Sequence, residues 1–315
     1  MRAVVQDGYG PPDVLRVADL PDPTPAADEV LVEVRAVSLN GSDRENLVGR
    51  PLYSRLGGLR RPRVPVPGSD VAGVVVAVGG AVSRFAVGDE VVGELPGYRG
   101  GLAGLVATRP GTLVAKPAGL SFVEASTVPQ AGCIALRATR GVRPGDRVLV
   151  NGAGGAFVVA LARHLGAEVT AVDRRGKAEH LRRLGAEHVV AYEDEDWATH
   201  RDRYDLVVDL VARRAPWRVH RAVRSGGAYR MVGGRTDLLL GIPTVGALLG
   251  RATGRHVGVL VVPQSATDLA EVLELVTRGA VPTAVDAVVP LDEAPAALAR
   301  LAAGATQGKV VVTVP

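Results

Sequence analysis

The run Arg147-Val148-Leu149-Val150-Asn151-Gly152-Ala153-Gly154-Gly155-Ala156-Phe157 sets a buried-strand pattern, a cluster of glycines and the start of a helical repeat end to end. That order of parts suits a pyrophosphate. Glycines let the backbone turn tightly, and the free N–H groups of the following helix meet the anion. Gly152, Gly154 and Gly155 are therefore candidate dinucleotide contacts. Counted as G-x-G-x-x-G from Gly152, the third glycine position falls on Phe157, where a side chain opposes close helix–strand packing. Taking Gly155 as the last glycine restores the packing and removes the phosphate cradle. Either register predicts weakened pyrophosphate binding. Asp173 lies 21 residues beyond Gly152 at the end of the next strand pattern, where an acid can hold ribose hydroxyls. Its neighbours Arg174, Arg175 and Lys177 could pair instead with a 2′-phosphate. An ordinary solvated loop explains the same residues.

Other side chains could act on a substrate. Asn40 could hydrogen-bond a carbonyl and Asp43 could serve as a base, although both types also favour turns and helix starts. For Asp43 the capping role is preferred. The phenols of Tyr53 and Tyr98 could donate to a developing oxyanion, or simply pack on the surface. Gln130 brings a polar amide into Val128-Pro129-Gln130-Ala131-Gly132, for substrate recognition or as a satisfied core amide. Cys133, the single cysteine, excludes an intrachain disulfide and any multi-cysteine metal site. It has no basic partner nearby and reads as a buried, inert thiol. Arg230 interrupts an apolar strand, so it either reaches into the nucleotide cleft or emerges at the strand's end.

These residues need two kinds of support. Strand-like alternation over Glu29–Val37 and Ser69–Gly79, punctuated by Pro and Gly, suits a small barrel. From about Ser121 strands and helices alternate instead. Strands are expected at 147–152, 168–172, 188–190, 205–209 and 228–233, and helices over 156–165 and 177–184. That spacing builds a doubly wound parallel sheet. A helix over Glu293–Ala302 and a strand over Gly308–Val314 return the chain to the first domain. The expected domains are 1–120 with 256–315, and 121–255.

Composition narrows the partners. Hydrophobic residues at 47% and charged residues at 22% suit an ordinary globular chain, and 3% aromatics leave the cores to Val, Leu and Ala. A net charge of +4, with arginines broken up by prolines, argues against nucleic acid. With no leader and no long apolar span, a cytoplasmic protein without membrane contact is expected.

Several ordered stretches resemble one family. They are Gln6-Asp7-Gly8-Tyr9-Gly10-Pro11-Pro12-Asp13-Val14-Leu15, Val37-Ser38-Leu39-Asn40-Gly41-Ser42-Asp43, Pro67-Gly68-Ser69-Asp70-Val71-Ala72-Gly73 and Arg84-Phe85-Ala86-Val87-Gly88-Asp89-Glu90-Val91. Leu165–Thr170, Leu184–Val190 and Gly308-Lys309-Val310-Val311 continue the series. The chain resembles the medium-chain dehydrogenase/reductase superfamily, in its zinc-free quinone-reductase-like (zeta-crystallin-like) branch. The resemblance implies an α/β protein with a GroES-like β-barrel domain, a Rossmann-type domain and a cleft between them, with Asn40 and Asp43 facing that cleft. Zinc-dependent relatives carry cysteine at the place of Asn40 and histidine at that of Ser69, so no metal is expected. Gly233, in Val232-Gly233-Gly234, keeps a motif that lines the nicotinamide region in relatives. Against the family, the glycine loop is about three residues short, Ile134 replaces a common threonine, and Ala212-Arg213 replaces a glycine pair.

Those departures favour a scaffold repurposed for cofactor-independent, non-redox chemistry. Isomerisation, Michael-type or pericyclic cyclisation of an unsaturated, polyketide-like small molecule would qualify. The alternative is an NADP(H)-dependent quinone, enone or enoyl oxidoreductase, and a weaker one is a non-catalytic binding protein. A homodimer is possible under each.

Overall fold

The computed structural model describes residues 1–152 and 156–315 and resolves two compact units. The first comprises Met1–Cys133, Gln264–Arg278 and Thr283–Pro315; the second comprises Ile134–Pro263 and Gly279–Pro282. Strands are numbered along the chain.

In the first unit, β1 (Arg2–Gln6) and β2 (Leu15–Asp19) form an antiparallel pair. The main sheet takes β3 (Val30–Ser38), β4 (Asp70–Val78), β5 (Glu90–Glu94), β6 (Leu105–Thr108) and β7 (Leu113–Ala115). The alternation seen in the sequence becomes a two-faced strand. Val30, Val32 and Val34 of β3 are fully buried, while the residues between them are half-buried. Valine suits both demands, since its branched side chain packs well on a pleated surface.

The second unit holds β8 (Arg147–Asn151), β9 (Glu168–Asp173), β10 (His188–Ala191), β11 (Tyr204–Asp209), β12 (Val223–Met231) and β13 (His256–Val259). All neighbours are parallel, in the order β10-β9-β8-β11-β12-β13. Strands covered on both faces are apolar throughout, as in Val148-Leu149-Val150, each fully buried. Three of the few aromatics, Trp197, Tyr204 and Tyr229, sit fully buried in this core.

The helix Ala156–His164 follows β8, with Ala156 through Ala162 all buried. Arg163 and His164 in its last turn complement the carbonyl end, and Gly166 (φ +83°) turns the chain out of it. Arg230 lies half-buried next to the last residue of β12 and turns toward a neighbouring helix. Its guanidinium donates to the carbonyls of Ala138 at 2.6 Å and Arg140 at 2.9 Å, at the end of the helix Pro129–Thr139. It caps that helix, which explains a charge within the strand.

After β13 the chain crosses back. The helix Ala266–Thr277, β14 (Val285–Pro290), the helix Ala294–Ala302 and β15 (Lys309–Thr313) all belong to the first unit. β15 lies between β14 and β3.

Candidate active site

The first unit gathers a buried charged cluster where β15, β3, β4 and β5 run side by side. Cross-strand register sets Ser38 against Val311 and Asp70, and Asp70 against Glu94. Lys309 enters from β15 with 8% of its surface exposed. Its ammonium donates to the Leu39 carbonyl at 3.1 Å and to Asn40 Oδ1 at 2.5 Å.

Asp43 is the third residue of the helix Gly41–Val48, and its Oδ2 accepts the Asn40 N–H at 2.7 Å. The carboxylate thus satisfies a donor at the helix entry, as expected of a capping residue. Its other oxygen, Oδ1, is buried without a hydrogen-bond partner. Burial pushes the Asp43 carboxyl up to about 7 against the pull of that N–H, with the charge of Asp70 adding to the rise.

Asp70 is fully buried. It accepts from Ser69 Oγ at 3.3 Å on Oδ1 and from the Gln130 backbone N–H at 3.0 Å on Oδ2. Burial raises its pKa while Lys309 opposes the rise. Glu94 faces it across the strand pair, and like charges directly opposite repel. Burial first, then the Asp70 charge, push Glu94 up to about 8. Burial likewise lowers Lys309, against the pull of Asp70, Asp43 and Glu94. Three carboxyls around one ammonium cannot all ionise cheaply in a desolvated site.

Gln130 stitches the cluster together. Its Nε2 donates to Glu94 Oε1 at 2.7 Å, and its Oε1 accepts from Ser42 Oγ at 2.8 Å. Gln264 hydrogen-bonds Glu94 as well and donates to the Leu95 carbonyl at 3.0 Å. Asn40, Asp43 and Gln130 are thereby brought together, but not at a solvent-facing mouth. Asn40 is 5% exposed, with its oxygen held by Lys309 and its nitrogen 3.4 Å from the Ser38 carbonyl. Tyr98 lies near Glu94 and Asp70, whose charges add to burial in raising its phenol. Tyr53 stands apart, donating to Glu45 at 3.2 Å.

Sequence reasoning passed over Asp70, Glu94, Lys309 and Gln264. The available signal was a charged residue inside or at the rim of an apolar strand, as in Gly308-Lys309-Val310-Val311.

In the second unit, the strand order places β8 beside β11, where the winding direction of the sheet reverses. Ligands of such sheets bind outside the carboxyl ends of the strands at that point. Gly152 ends β8 with φ +85°, and a Cβ there would stand 2.6 Å from Val211 Cγ2. Only glycine fits that turn. Asp209, buried at the end of β11, accepts from Asn151 Nδ2 (2.7 Å), the Ala212 N–H (2.7 Å) and the Tyr229 hydroxyl (2.8 Å). The Asp209 contact holds Ala212 at φ +44°.

At the end of β9, Asp173 accepts the Arg174 N–H at 2.8 Å and lies 3.5 Å from Lys177 Nζ. Arg174 Nε donates to the Tyr192 hydroxyl at 2.8 Å, and Arg175 pairs with Asp194. Gly233 (φ +63°) and Gly234 (φ +105°) follow β12. Gly154 and Gly155, also candidate contacts, lie outside the described residues.

Two family models match the chain: an alcohol dehydrogenase GroES-like domain over residues 26–138 and a zinc-binding dehydrogenase over residues 184–312. A chloroplast envelope quinone oxidoreductase homolog from Arabidopsis thaliana is 30% identical, covering 99% of this chain and 98% of the relative. An NADPH-dependent alkenal/one oxidoreductase from the same plant is 33% identical, over 67% of this chain and 57% of its own length. The quinone oxidoreductase of Coxiella burnetii superposes with a TM-score of 0.89 at 27% identity, covering 100% of this chain and 99% of that one.

The zinc in the second family description finds no matching donors. Asn40 and Ser69 offer neither sulfur nor imidazole, and an ammonium sits against Asn40. Among the described residues no group of three His, Cys, Asp or Glu side chains could hold a metal.

The expectation of no cofactor is corrected. The relatives are oxidoreductases or oxidoreductase homologues by name, one of them NADPH-dependent. The strand order, the Gly152 turn and the acid with flanking cations after β9 fit that group. Phe157, the main steric objection, is 1% exposed on a helix that accommodates it. The preference for cyclase or isomerase chemistry finds no support in the names of these relatives, and the shortened glycine loop on which it mainly rested lies outside the described residues.

Among the described residues no helix is long and apolar enough to cross a membrane. The two plant relatives are chloroplast proteins by name, which leaves a cytoplasmic location without specific support. The chain belongs to the medium-chain dehydrogenase/reductase superfamily, in its zinc-free quinone-reductase-like branch.

Proposed function

We propose that the chain is an NADP(H)-dependent reductase of small conjugated carbonyl compounds, quinones or enones. The observation that carries the reading is the parallel sheet of the second unit. Its order, with Gly152 after β8 and Asp173 ending β9 beside Arg174 and Lys177, suits a dinucleotide carrying a 2′-phosphate. Asp173 is engaged by Lys177 and the Arg174 N–H, and a 2′-phosphate would draw on the Arg174 and Lys177 side chains. Gly233 and Gly234 leave the backbone after β12 free of side chains.

When bound, the cofactor supplies a hydride to an electrophilic carbon. The protein's own residues bind and orient. Gly152 would let a pyrophosphate approach the backbone, and the helix Ala156–His164 would offer it the N–H groups of its first turn. Asp209 holds the Asn151 side chain and the turn after β11 in place. Quinone and enone substrates are supported by the names of the plant relatives.

The test is titration calorimetry with NADPH and NADH, followed by nicotinamide oxidation with a quinone and an alkenone. Micromolar NADPH binding and acceptor-dependent oxidation are the expected results. Binding of neither cofactor at millimolar concentration refutes the reading.

A further inference from the structure

Residues 140–146 lead the chain into β8 and carry Arg140, Arg143 and Asp146. They border a cavity of about 320 Å³ whose whole lining belongs to the second unit. We propose that this cavity binds a small molecule carrying a phosphate monoester, held by Arg143, Arg224 and Arg230 with His256 at its edge. Its walls include the residue before β8, the start of β11 and the start of β13. That is the opposite end of β8 from the Gly152 turn, so the site is separate from the dinucleotide end of the sheet and does not depend on the reductase reading.

The sequence of β12 makes the room. Ala228 and Arg230 alternate with Tyr229 and so share one face of the strand. Leu206, Ala228 and His256 stand in register across β11, β12 and β13, and Ala228 is the smallest of that row. Gly226 (φ +78°) adds no side chain, and a Cβ there would meet nothing nearer than the Arg224 guanidinium at 3.8 Å. Space is thus left directly beside a half-buried cation.

The charges around that space do not cancel. Arg140, Arg143, Arg224 and Arg230 line it, against Asp146 and Asp205. Both acids are already engaged. Asp205 accepts from the Arg147 N–H at 2.8 Å and from Arg224 Nε, and Arg147 Nε lies 3.7 Å away. Asp146 accepts the Arg143 N–H at 2.8 Å. Arg230 donates only to backbone carbonyls, and among the described residues no carboxylate pairs with it. Burial lowers its pKa with no acid opposing the change. The side chains of Arg143 and His256 have no hydrogen-bond or ion-pair partner among the described residues.

Four cations against two acids leave an excess of two, which matches the charge of a phosphate monoester near neutral pH. Guanidinium forks bind phosphate oxygens through paired N–H donors. Exposed arginines alone attract weakly, but Arg230 is half-buried and less screened by salt. The volume is at the lower end of the range for small-molecule pockets, so the organic part of the ligand is small.

The test titrates the full chain with inorganic phosphate by calorimetry slightly above neutral pH, with chloride holding the ionic strength constant. A Kd below about 1 mM is expected, and no binding at about 10 mM overturns the proposal. Arg143→Gln should weaken phosphate at least about tenfold, the share of one charged hydrogen bond, and Arg143→Lys should recover part of it. The Arg143 side chain supports nothing else, so the melting temperature of Arg143→Gln in chloride should match the wild type. Ala228→Leu keeps every charge, occupies the space beside Arg230 and should abolish binding. Arg63→Gln removes an exposed arginine of the first unit and should leave the Kd unchanged. A Kd within about threefold of wild type in Arg143→Gln or Ala228→Leu overturns the site. So does a loss in Arg63→Gln as large as that in Arg143→Gln, which would mean diffuse attraction to the net positive chain.

Discussion

Replacing Asp43 with asparagine should flatten part of the protein's pH–stability profile. Asp43 is fully buried, and its carboxyl is raised from 3.8 to about 7. The folded chain therefore binds a proton that the unfolded chain has released between about pH 4 and pH 7. Stability from this group is highest below the unfolded value, falls as pH rises through that window, and levels off above about 7. Each unit corresponds to about 1.36 kcal/mol, so the rise from about pH 5 to about pH 7 removes roughly 2 kcal/mol.

Asparagine keeps an oxygen for the Asn40 N–H but cannot ionise. It also places an amide nitrogen where Asp43 Oδ1 has no partner, a pH-independent cost of about 1–3 kcal/mol. The variant should therefore be the less stable protein near pH 5, and the gap should close or reverse by about pH 8. Urea unfolding followed by tryptophan fluorescence reads this, since Trp197 is fully buried. Glu94 titrates nearby and is coupled to the same site, so the quantity to read is the gap between the proteins at each pH. A gap constant from about pH 5 to about pH 8 would refute the reasoning.

Lys309→Met should cost about 3–5 kcal/mol at neutral pH, because it strips the cation from Asp70 and Asp43 and the donor from Leu39 and Asn40. The loss should shrink in acid, as the carboxyls take protons; an unshifted urea midpoint at neutral pH would count against the cluster. Arg230→Met should lower the melting temperature by removing about 1.5–3 kcal/mol of charged hydrogen bonds to the helix end at Ala138 and Arg140. Unchanged melting would mean that water caps those carbonyls equally well.

Five of the six strands of the second unit were readable in the sequence, most of them as local apolar runs, whereas β13, reached from β12 only through residues 232–255, was not. β8, β9 and β11 fall where the patterns of Val148–Val150, Val169–Val172 and Leu206–Val208 place them. The cluster was not readable in that way. Asp70, Glu94 and Lys309 meet through strand register, which no local spacing encodes. Asn40 shows the same limit: its neighbours in sequence suggest a free amide, whereas a lysine 269 residues away takes its oxygen. Phe157 is a related case. The glycine pattern says where a side chain is unwelcome, and only the packed helix says that a ring can be buried there.

The position of Lys309 also sets an order of events during synthesis. Asn40, Asp43, Asp70 and Glu94 leave the ribosome early, and the cation that joins them follows Asn40 by 269 residues. At typical elongation speeds that interval is on the order of tens of seconds. Residues 134–263, nearly all of the second unit, emerge within it. A nascent chain can therefore close its parallel sheet while the three carboxyls still stand in water, each free to keep its charge. The strand that carries Lys309 is then the piece that converts them from solvated anions into a shared, desolvated set, so the first unit is completed only after the second has been translated.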